Sequence, residues 1–385
     1  MKITAFANFC DPQTLPMYET LYEKSGHELI LAATEPMEEE LLKQGYPDYH
    51  ETKPFVCKLY EEADMLSKAK ELASKSDVLI YGHCPVEYFN LAVDSGKPVF
   101  RLSQHIYRDG KNYPLKWKAS YYLKHTLALK NKPVYLLCLG TYTAYDFSLT
   151  NSYKNRMFEF GEFTPVIDYD LEALLKTKQK DPVKIVWVND LHPWFEPETV
   201  IELAERLKEE SCIFELYGTG ELAEELKQKT EPLANVTVIE DDSLFMINKA
   251  LTTADIFLST SGYNEGWGNI LNRAMNHACA CVVSTAVGAG KMLGDNENGL
   301  LYEYGNLDDL EAKIRALVTD PAGREAYSRA AFTANRDVWN GTQAGKRLYT
   351  LMEALLAGKP SPFTEGLCSP AKIVTHEDMI RRAGL

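Results

Sequence analysis

Short apolar runs alternate with amphipathic stretches along the chain, and the two patterns predict different elements. The runs KITAFANF, HELILAA, DVLIYG, KPVFRLS and PVYLLC lie in the first half, and VKIVWV, IFELYG, VTVIE, ADIFLS, CACVVS and GLLY in the second. They lack a strict alternation of apolar and polar residues, which is typical of strands buried on both faces. Stretches such as EEADMLSKAKELASK and PETVIELAERLKEE lie between the runs and predict helices. The alternation of strand and helix predicts an α/β protein with doubly wound parallel sheets covered by helices.

One segment interrupts this pattern and predicts a domain boundary. Residues 162–182, EFTPVIDYDLEALLKTKQKDP, carry two prolines and many charges, and a new apolar run starts at Val183. We therefore predict an N-terminal Rossmann-like domain over 1–165, a C-terminal Rossmann-like domain over 166–340, and a C-terminal helix and tail over 341–385. Ligands of doubly wound sheets bind beyond the carboxyl ends of the strands. Candidate site residues are therefore expected in the loops that follow the apolar runs.

Composition and charge exclude several classes of protein. The 385 residues include 41 Lys and Arg against 55 Asp and Glu, a net charge of −14, which argues against a nucleic-acid partner. The sequence contains no run of 18 apolar residues, so it predicts no membrane-spanning helix. The N-terminus is typical of a first strand rather than a signal peptide, and the eight cysteines contain no Cys-x-x-Cys pair. We expect a cytoplasmic protein with reduced thiols.

The most informative segment is 255–305, where a polar, glycine-rich loop separates an apolar run from a helix. Gly266 and Gly268 allow the backbone to approach a ligand closely, and the helix starts near Asn269. The N–H groups at a helix start suit an anion, and Glu265 is placed to accept hydrogen bonds from hydroxyls. The spacing predicts a phosphate beside a polyol, or alternatively a glycine-rich turn with a capping carboxylate.

The stretch NEGWGNILNRAMNHACACVVST within this segment resembles the donor-site motif of the family 4 retaining glycosyltransferases. These enzymes have the GT-B fold, with two Rossmann-like domains facing a cleft. Three further stretches, YLLCLGTYTAYDFSLTNSYKNRMFEFGEF, TEPMEEELLKQG and EGLCSPA, are similar to members that assemble bacterial capsule or exopolysaccharide. The resemblance covers nearly the whole chain. It implies that the N-terminal domain is on the acceptor side, that the C-terminal domain is on the donor side, and that the C-terminal helix and tail cross back to the N-terminal domain. It implies retaining transfer of a sugar from a nucleotide sugar to a glycan or lipid-linked acceptor, with no metal or other cofactor.

The resemblance also implies roles for individual residues. Glu265 would bind hydroxyls of the donor sugar as the main catalytic residue. His105, in the loop after KPVFRLS, is a second catalytic candidate, with a packing role as the alternative. The other donor-binding candidates are Gly266, Trp267, Gly268, Asn269, Arg273 and Gly218. The leaving diphosphate would help to deprotonate the acceptor, while the protein supplies orientation and charge stabilisation.

The chain departs from the family pattern where the donor phosphates would bind. The family's second Glu corresponds to Arg273, which cannot accept a hydrogen bond from a ribose. It could contact a phosphate or turn back onto Glu265, and we expect it to be the only side-chain cation near the motif.

The family's phosphate-clamping Arg and Lys correspond to Asp190 and Phe195. One like-charge contact at ~4 Å costs roughly 4 kcal/mol at an effective dielectric constant of about 20. A protonated His192 would replace part of the lost charge. The altered phosphate loop comprises Asn189, Asp190, His192 and Phe195.

These departures leave two hypotheses from different classes. In the first, the protein is a working glycosyltransferase with an unusual donor site, in which Arg273 supplies the missing positive charge. In the second, it is a non-catalytic GT-B pseudoenzyme that acts as partner or stabiliser of an active glycosyltransferase.

Residues 101–135 form a basic segment, with one acid, Asp109, against eight Lys and Arg. The basic positions are 101, 108, 111, 116, 118, 124, 130 and 132, and aromatic residues and leucines lie between them. Such a segment suits an anionic membrane surface, which predicts peripheral binding at the inner membrane face through 101–132. The alternative is a solvated helix whose lysine stems cover the core.

Overall fold

The computed structural model describes residues 1–106, 118–120, 122–294 and 296–384. The chain divides into two compact units. Unit 1 comprises Met1–Pro165 and Trp339–Val374, and unit 2 comprises Val166–Val338 and Thr375–Leu385. The segment 341–385, which the sequence presents as one helix and tail, is thus divided at Thr375.

Unit 1 is built on a parallel sheet. Its strands in the described residues are Ile3–Ala7 (β1), Leu29–Ala33 (β2), Val56–Lys58 (β3), Val78–Tyr81 (β4), Val99–Gln104 (β5), Val134–Leu139 (β6) and Met157–Phe160 (β7). Its helices, numbered along the whole chain, are Leu15–Lys24 (α1), Glu39–Gln44 (α2), Tyr49–Thr52 (α3), Met65–Lys75 (α4), Val86–Asp94 (α5), Thr143–Ser148 (α6) and Gly341–Leu356 (α14). A 3₁₀ turn spans Leu59–Glu61 and a π-helical turn Tyr122–Leu127. The strand order is β3-β2-β1-β4-β5-β6-β7.

Unit 2 repeats this architecture. Its described strands are Val183–Val188 (β8), Cys212–Tyr217 (β9), Val236–Ile239 (β10), Ile256–Ser259 (β11), Ala280–Ser284 (β12) and Leu300–Tyr302 (β13). Its helices are Leu171–Lys176 (α7), Pro197–Arg206 (α8), Ala223–Thr230 (α9), Leu244–Thr253 (α10), Asn269–Asn276 (α11), Leu307–Thr319 (α12), Pro321–Asp337 (α13) and His376–Arg382 (α15), with 3₁₀ turns at Pro193–Phe195 and Gly288–Leu293. The strand order is β10-β9-β8-β11-β12-β13, and all pairs are parallel.

The apolar runs form central strands because both of their faces are covered. Every residue of β1, β8, β11 and β12 is buried, as expected for parallel sheets between layers of helices. The predicted α/β class with two Rossmann-like sheets is therefore confirmed. Two strands, β3 and β7, were missed. They lie at the two edges of the unit 1 sheet, where the residues of β3 are half-buried and β7 alternates half-buried and buried residues.

The strand order reverses once in each sheet, and this reversal determines where ligands can enter. In unit 1 the chain moves outward from β1 to β2 on one side and returns to β4 on the other. In unit 2 the same reversal separates β8 from β11. Loops that follow the two strands at a reversal diverge and leave a crevice between them. The loops after β1, β4, β8 and β11 are therefore the positions to search for a site.

Helix α14 packs against α1 through glycine positions. A Cβ atom at Gly345 would lie 2.6 Å from Cβ of Thr20 and 2.8 Å from the carbonyl oxygen of Met17. Asn340 caps this helix, with its Oδ1 accepting the N–H of Gln343 at 2.9 Å. The glycine thus permits a backbone contact that any larger side chain would push apart.

We predict that Gly345→Leu destabilises unit 1 by about 1–3 kcal/mol, because an added side chain overpacks the α1–α14 contact. For a unit of this size, the melting temperature should fall by roughly 2–4 °C per kcal/mol. Lys346→Leu, at the exposed next position of the same helix, is the matched control and should leave the melting temperature nearly unchanged. Equal melting temperatures for both variants would contradict the close packing.

Candidate functional site

Glu265 and Asn189 meet at the strand reversal of unit 2. Asn189 directly follows β8, and Glu265 lies in the loop that follows β11. The Nδ2 group of Asn189 donates to Oε1 of Glu265 at 3.2 Å and lies 3.5 Å from the hydroxyl of Ser261. The carboxylate that the sequence singles out is therefore held by an amide from the neighbouring loop, at the edge where ligands of such sheets bind.

The loop that carries Glu265 needs glycine at two positions. Gly266 and Gly268 have φ angles of 82° and 84°, in the left-handed region that favours glycine. A Cβ atom at Gly268 would lie 2.5 Å from Cγ1 of Val287 and 3.2 Å from Oε1 of Glu265. The absence of a side chain at Gly268 thus leaves the carboxylate of Glu265 close to the start of α11.

A second loop fixes this backbone from behind. The N–H groups of Gly288 and Ala289 donate to the carbonyls of Gly266 and Trp267 at 2.9 and 2.7 Å. Trp267 is 1% exposed, so its side chain belongs to the core. Any contact of this residue with a donor sugar would have to be made by its backbone.

Lys291 was not predicted as a site residue, although its ammonium nitrogen lies 5.5 Å from the centroid of the Trp267 ring. The expectation that Arg273 is the only cation near the motif is therefore wrong. The signal was present as a single Lys in the stretch VGAGK, which follows the strand CACVVS.

Helix α11 begins at Asn269, directly after this loop. Gly268 is its N-cap and offers no capping side chain. The first N–H groups of a helix have no partner within the helix, and they suit an anion. Asn269 and the backbone before it therefore lie where a phosphate could be bound.

The electrostatic environment of Glu265 favours its protonated form. Burial raises the pKa of Glu265 to about 7; hydrogen bonds from Ser261 and Asn189 lower it, and the negative charge of Asp190 raises it. Within the part of the chain that the structure describes, Oε2 of Glu265 is buried and has no hydrogen-bond partner. A buried acceptor of this kind is normally satisfied, and a hydroxyl donor from a ligand would satisfy it.

The altered phosphate loop is held by contacts within unit 2. Asp190 is exposed and its N–H donates to Oδ1 of Asn189 at 3.0 Å. Nδ1 of His192 accepts the N–H of Trp194 at 3.2 Å, and Nε2 lies 3.4 Å from a carboxylate oxygen of Glu221. A positive charge on His192 would therefore be offset by Glu221.

Phe195 is part of the apolar packing of unit 2. Its aromatic ring packs against the core of this unit. Its carbonyl also accepts the hydroxyl of Thr260 at 2.8 Å. The residue thus contributes to packing rather than to anion binding.

Arg273 and Gly218 have structural partners as well. Arg273 is 8% exposed, and its Nη1 donates to Oδ1 of Asn248 at 3.0 Å. A Cβ atom at Gly218 would lie 1.9 Å from the carbonyl oxygen of Asn189, so glycine is required by the close approach of two backbones. Donor binding by either residue stays a prediction.

Unit 1 contains a cavity of about 700 Å³ at the carboxyl ends of β1, β4 and β5. It is lined by Ala7, Asn8, Phe9, Asp11, Gln13, Thr14, Tyr18, Glu38, Tyr81, Gly82, His83, Arg101, Leu102, Ser103, Gln104, His105, Ile106, His125, Leu139 and Glu162. His105, the second catalytic candidate, borders this cavity, but it is only 3% exposed and its ring packs edge-on against Tyr142. Catalysis by His105 stays a prediction.

Two acidic residues of this cavity were also missed. Burial raises the pKa of Asp11 to about 6 and that of Glu162 to about 7, and the charge of Asp11 raises the pKa of Glu162 further. Nε2 of Gln104 donates to Oε2 of Glu162 at 3.3 Å. Glu162 follows β7, which was missed as a strand, so its place at a strand end could not be seen from the sequence.

The basic segment is described only in part, since positions 108, 111 and 116 lie outside the described residues. Arg101 lies within unit 1, where its Nη1 contacts Nδ1 of His125 at 3.0 Å and the hydroxyl of Tyr153 at 3.1 Å. Burial lowers the pKa of His125 to about 3. Arg101 therefore has a structural role and does not belong to a surface patch.

The π-helical turn presents apolar side chains outward. Tyr122, Leu123 and Leu127 are 46%, 56% and 55% exposed, and Lys124 between them is exposed as well.

None of the described helices combines the length and apolar character needed to cross a bilayer. Among the residues with described positions, no group of three or more His, Cys, Asp or Glu side chains is arranged to hold a metal ion.

The part of the chain that carries Glu265 is similar to known glycosyltransferases. Residues 175–334 match the family model "Glycosyl transferases group 1". An uncharacterized glycosyltransferase of Methanocaldococcus jannaschii, MJ1069, is 26% identical over 191 residues, which cover 47% of this chain and 48% of that protein. The chain thus matches about half the length of this curated relative. The match to the glycosyltransferase group 1 model thus lies within unit 2.

Solved structures extend the likeness to both units at the level of the fold. Alr3699/HepE of Anabaena, in complex with UDP, has a TM-score of 0.66 at 13% identity and covers 92% of this chain and 100% of its own. A glycosyltransferase of Rickettsia africae has a TM-score of 0.66 at 14% identity, covering 91% of this chain and 98% of its own. These likenesses confirm the predicted GT-B fold.

We predict that Glu265→Gln changes the pH dependence of stability. The folded pKa of about 7 lies above the ordinary glutamate pKa of 4.5, so the folded protein binds more protons than the unfolded one between these pH values. The contribution of Glu265 is therefore greatest below pH 4.5 and is lost as the pH rises through 7. The variant should gain about 1–3 kcal/mol relative to the wild type between pH 5 and pH 8.

Urea denaturation at the two pH values measures this difference. Glu209→Gln, at an exposed acid of unit 2, is the control and should follow the wild type at both. A stability difference between Glu265→Gln and wild type that does not change with pH would contradict the buried carboxyl.

Proposed function

We propose that this protein transfers a sugar, with retention of configuration, from a nucleotide sugar bound at unit 2 to a glycan or lipid-linked acceptor. The observation that carries the proposal is the arrangement of Glu265, which Asn189 holds beside the start of α11 within a glycosyltransferase group 1 domain. The Anabaena structural neighbour contains UDP, which supports a nucleotide donor.

In this proposal each part of the site has one task. Oε1 of Glu265 is occupied by Asn189, and Oε2 accepts a hydroxyl of the donor sugar. The first N–H groups of α11 receive the diphosphate, because a helix start stabilises negative charge that grows on a leaving group. The leaving diphosphate, on the same face of the sugar as the acceptor, helps to remove the proton of the acceptor hydroxyl.

The charge that the phosphate loop lacks must come from elsewhere in this proposal. Asp190 is exposed in that loop and would repel a phosphate. Lys291 lies on the ring of Trp267, next to the glycine loop, and is better placed than Arg273, whose guanidinium is hydrogen-bonded to Asn248. We therefore assign the stabilisation of the diphosphate to the helix start and Lys291.

A second candidate function is that of a pseudoenzyme that stabilises an active glycosyltransferase. The observation that favours it is the phosphate loop, where Asp190 and the core-packed Phe195 occupy the positions of the family's Arg and Lys. This candidate predicts a folded protein that binds no nucleotide.

We predict that one nucleotide family among UDP, GDP, dTDP and CDP raises the melting temperature. A ligand at 100 times its dissociation constant stabilises by about 2.7 kcal/mol, which corresponds to about 5–10 °C for a unit of this size. Glu265→Gln should keep the shift with the free nucleotide but lose the additional shift with the nucleotide sugar, and it should abolish transfer. Glu209→Gln is the matched control and should retain both shifts.

The absence of any shift with all four nucleotides would contradict the transferase and favour the pseudoenzyme. Retention of full transfer activity by Glu265→Gln would contradict the role of Glu265 and leave the nucleotide site standing.

We further propose that the protein works in the cytoplasm at the inner membrane face. Tyr122, Leu123 and Leu127 project outward beside Lys124, and apolar side chains between lysines suit the surface of an anionic bilayer.

Flotation with vesicles that contain phosphatidylglycerol should recover the protein at low salt and lose it at high salt, because the lysine contribution is screened. The double change Leu123→Ser and Leu127→Ser should abolish recovery. Leu356→Ser, at another exposed leucine of unit 1 (47% exposed), should not. Equal recovery with neutral and anionic vesicles would contradict this proposal.

A further inference from the structure

We infer that α15, the last helix of the chain, holds the two loops of the proposed nucleotide site in place, with Met379 and His376 as its positioning residues. The donor loop is residues 262–268, and the supporting turn is Gly288–Leu293. The inference rests on the proposed function and extends the site beyond residues 175–334, which match the family model.

The chain returns to unit 2 just before α15. Residues Trp339–Val374 belong to unit 1, whereas Thr375–Leu385 belong to unit 2. α15 has seven residues, and an isolated helix of this length is marginal in water. Its conformation therefore depends on the capping box that Thr375 forms with Asp378 and on packing against unit 2.

Met379 makes the apolar contact between α15 and the supporting turn. Its side chain is buried, and its Cε lies 3.7 Å from the position that a Cβ atom at Gly290 would take. Gly290 directly follows Gly288 and Ala289, whose N–H groups donate to carbonyls of the donor loop, and it directly precedes Lys291. Met379 thus packs on the turn beside the groups that hold the donor loop.

His376 contacts the donor loop directly. Its ring lies edge-on to the ring of Tyr263, with 4.6 Å between the centroids. Tyr263 is two residues before Glu265, and its ring also lies 5.4 Å from that of Tyr304. The aromatic contacts of Tyr263 therefore restrict the loop that carries Glu265.

Two side chains of unit 2 hold the C-terminal end of α15. Nδ2 of Asn296 donates to the carbonyl of Arg382 at 2.7 Å, and Nζ of Lys313 donates to the carbonyl of Ala383 at 3.0 Å. Oδ1 of Asn296 also accepts the N–H of Leu301, in β13, at 2.9 Å. The helix is thus fixed to the sheet of unit 2, as a positioning element must be.

The donor loop depends on such support because it contains two glycines. Gly266 and Gly268 both have positive φ angles, and a glycine backbone has access to more conformations than any other residue. A ligand binds more weakly when the binding-competent conformation is only partly populated. Contacts that keep the loop in one conformation therefore raise its affinity for a nucleotide.

We predict that Met379→Ala raises the dissociation constant of a nucleoside diphosphate roughly tenfold, within the range of about 2- to 30-fold for coupling through an intervening element. Calorimetric titration measures it with whichever of UDP, GDP, dTDP and CDP stabilises the wild type. Met379→Leu keeps the volume and should bind nearly as well as the wild type. His376→Leu removes the contact with Tyr263 and repeats the test if Met379→Ala does not fold.

Leu207→Ala is the matched control for lost stability. Leu207 is as fully buried as Met379, but it lies where α8 leads into β9, at the amino ends of the strands and away from the donor loop. Its truncation should lower the melting temperature by a similar amount and leave the dissociation constant unchanged. An equal loss of affinity in Leu207→Ala would overturn the inference, because lower stability would then account for the weaker binding.

Hydrogen–deuterium exchange without nucleotide tests the positioning independently of the donor. The amides of Gly288 and Ala289 should exchange faster in Met379→Ala than in the wild type, by a factor similar to the loss of affinity, and unchanged in Leu207→Ala. Wild-type exchange of both amides in folded Met379→Ala would overturn the inference. Faster exchange there, combined with no nucleotide binding by the wild type, would overturn the proposed donor site and leave the positioning by α15 standing.

Discussion

Burial of both faces of each parallel sheet is the constraint on which the rest of the structure depends. Strands such as β8 and β11 have no face on which a polar side chain could meet water. Polar groups that serve a ligand are therefore confined to the loops at the carboxyl ends of the strands. Asn189 and Glu265 in unit 2, and Asp11 in unit 1, all lie in such loops.

The same burial gives the site its chemical character. A carboxyl group at the edge of a buried sheet is partly removed from water, which disfavours its charged form. Glu265 and Glu162 therefore have pKa values of about 7, and Asp11 of about 6. Groups of this kind can donate or accept a hydrogen bond near neutral pH, and perturbed carboxyls in clefts are common at functional sites.

In the altered phosphate loop, packing against the core removes a position from the site. Phe195 packs against the core of unit 2, so this position contributes apolar burial and no charge. In the proposed function, a diphosphate bound at unit 2 would depend on the start of α11 and on Lys291, whose ammonium nitrogen lies 5.5 Å from the centroid of the Trp267 ring.

The sequence predicted the central strands and the loop of Glu265 because long apolar runs and a glycine-rich turn have few alternatives. It did not predict β3 and β7, since these short edge strands are largely half-buried and resemble loops. Because β7 was not predicted, the position of Glu162 after the end of a strand was not predicted either. The partners of Arg273 and Lys291 were not readable either, because Asn248 and Trp267 approach them through tertiary packing and not through sequence spacing.

The central claim is that the loop of Glu265 and the start of α11 bind a nucleotide, and hydrogen–deuterium exchange tests it most directly. We predict that a saturating nucleoside diphosphate slows exchange of the amides of residues 265–271 and leaves the helices of unit 1 unchanged. Unaltered exchange over 265–271 under conditions where nucleotide binding is measured independently would contradict this account, because the nucleotide would then be bound elsewhere.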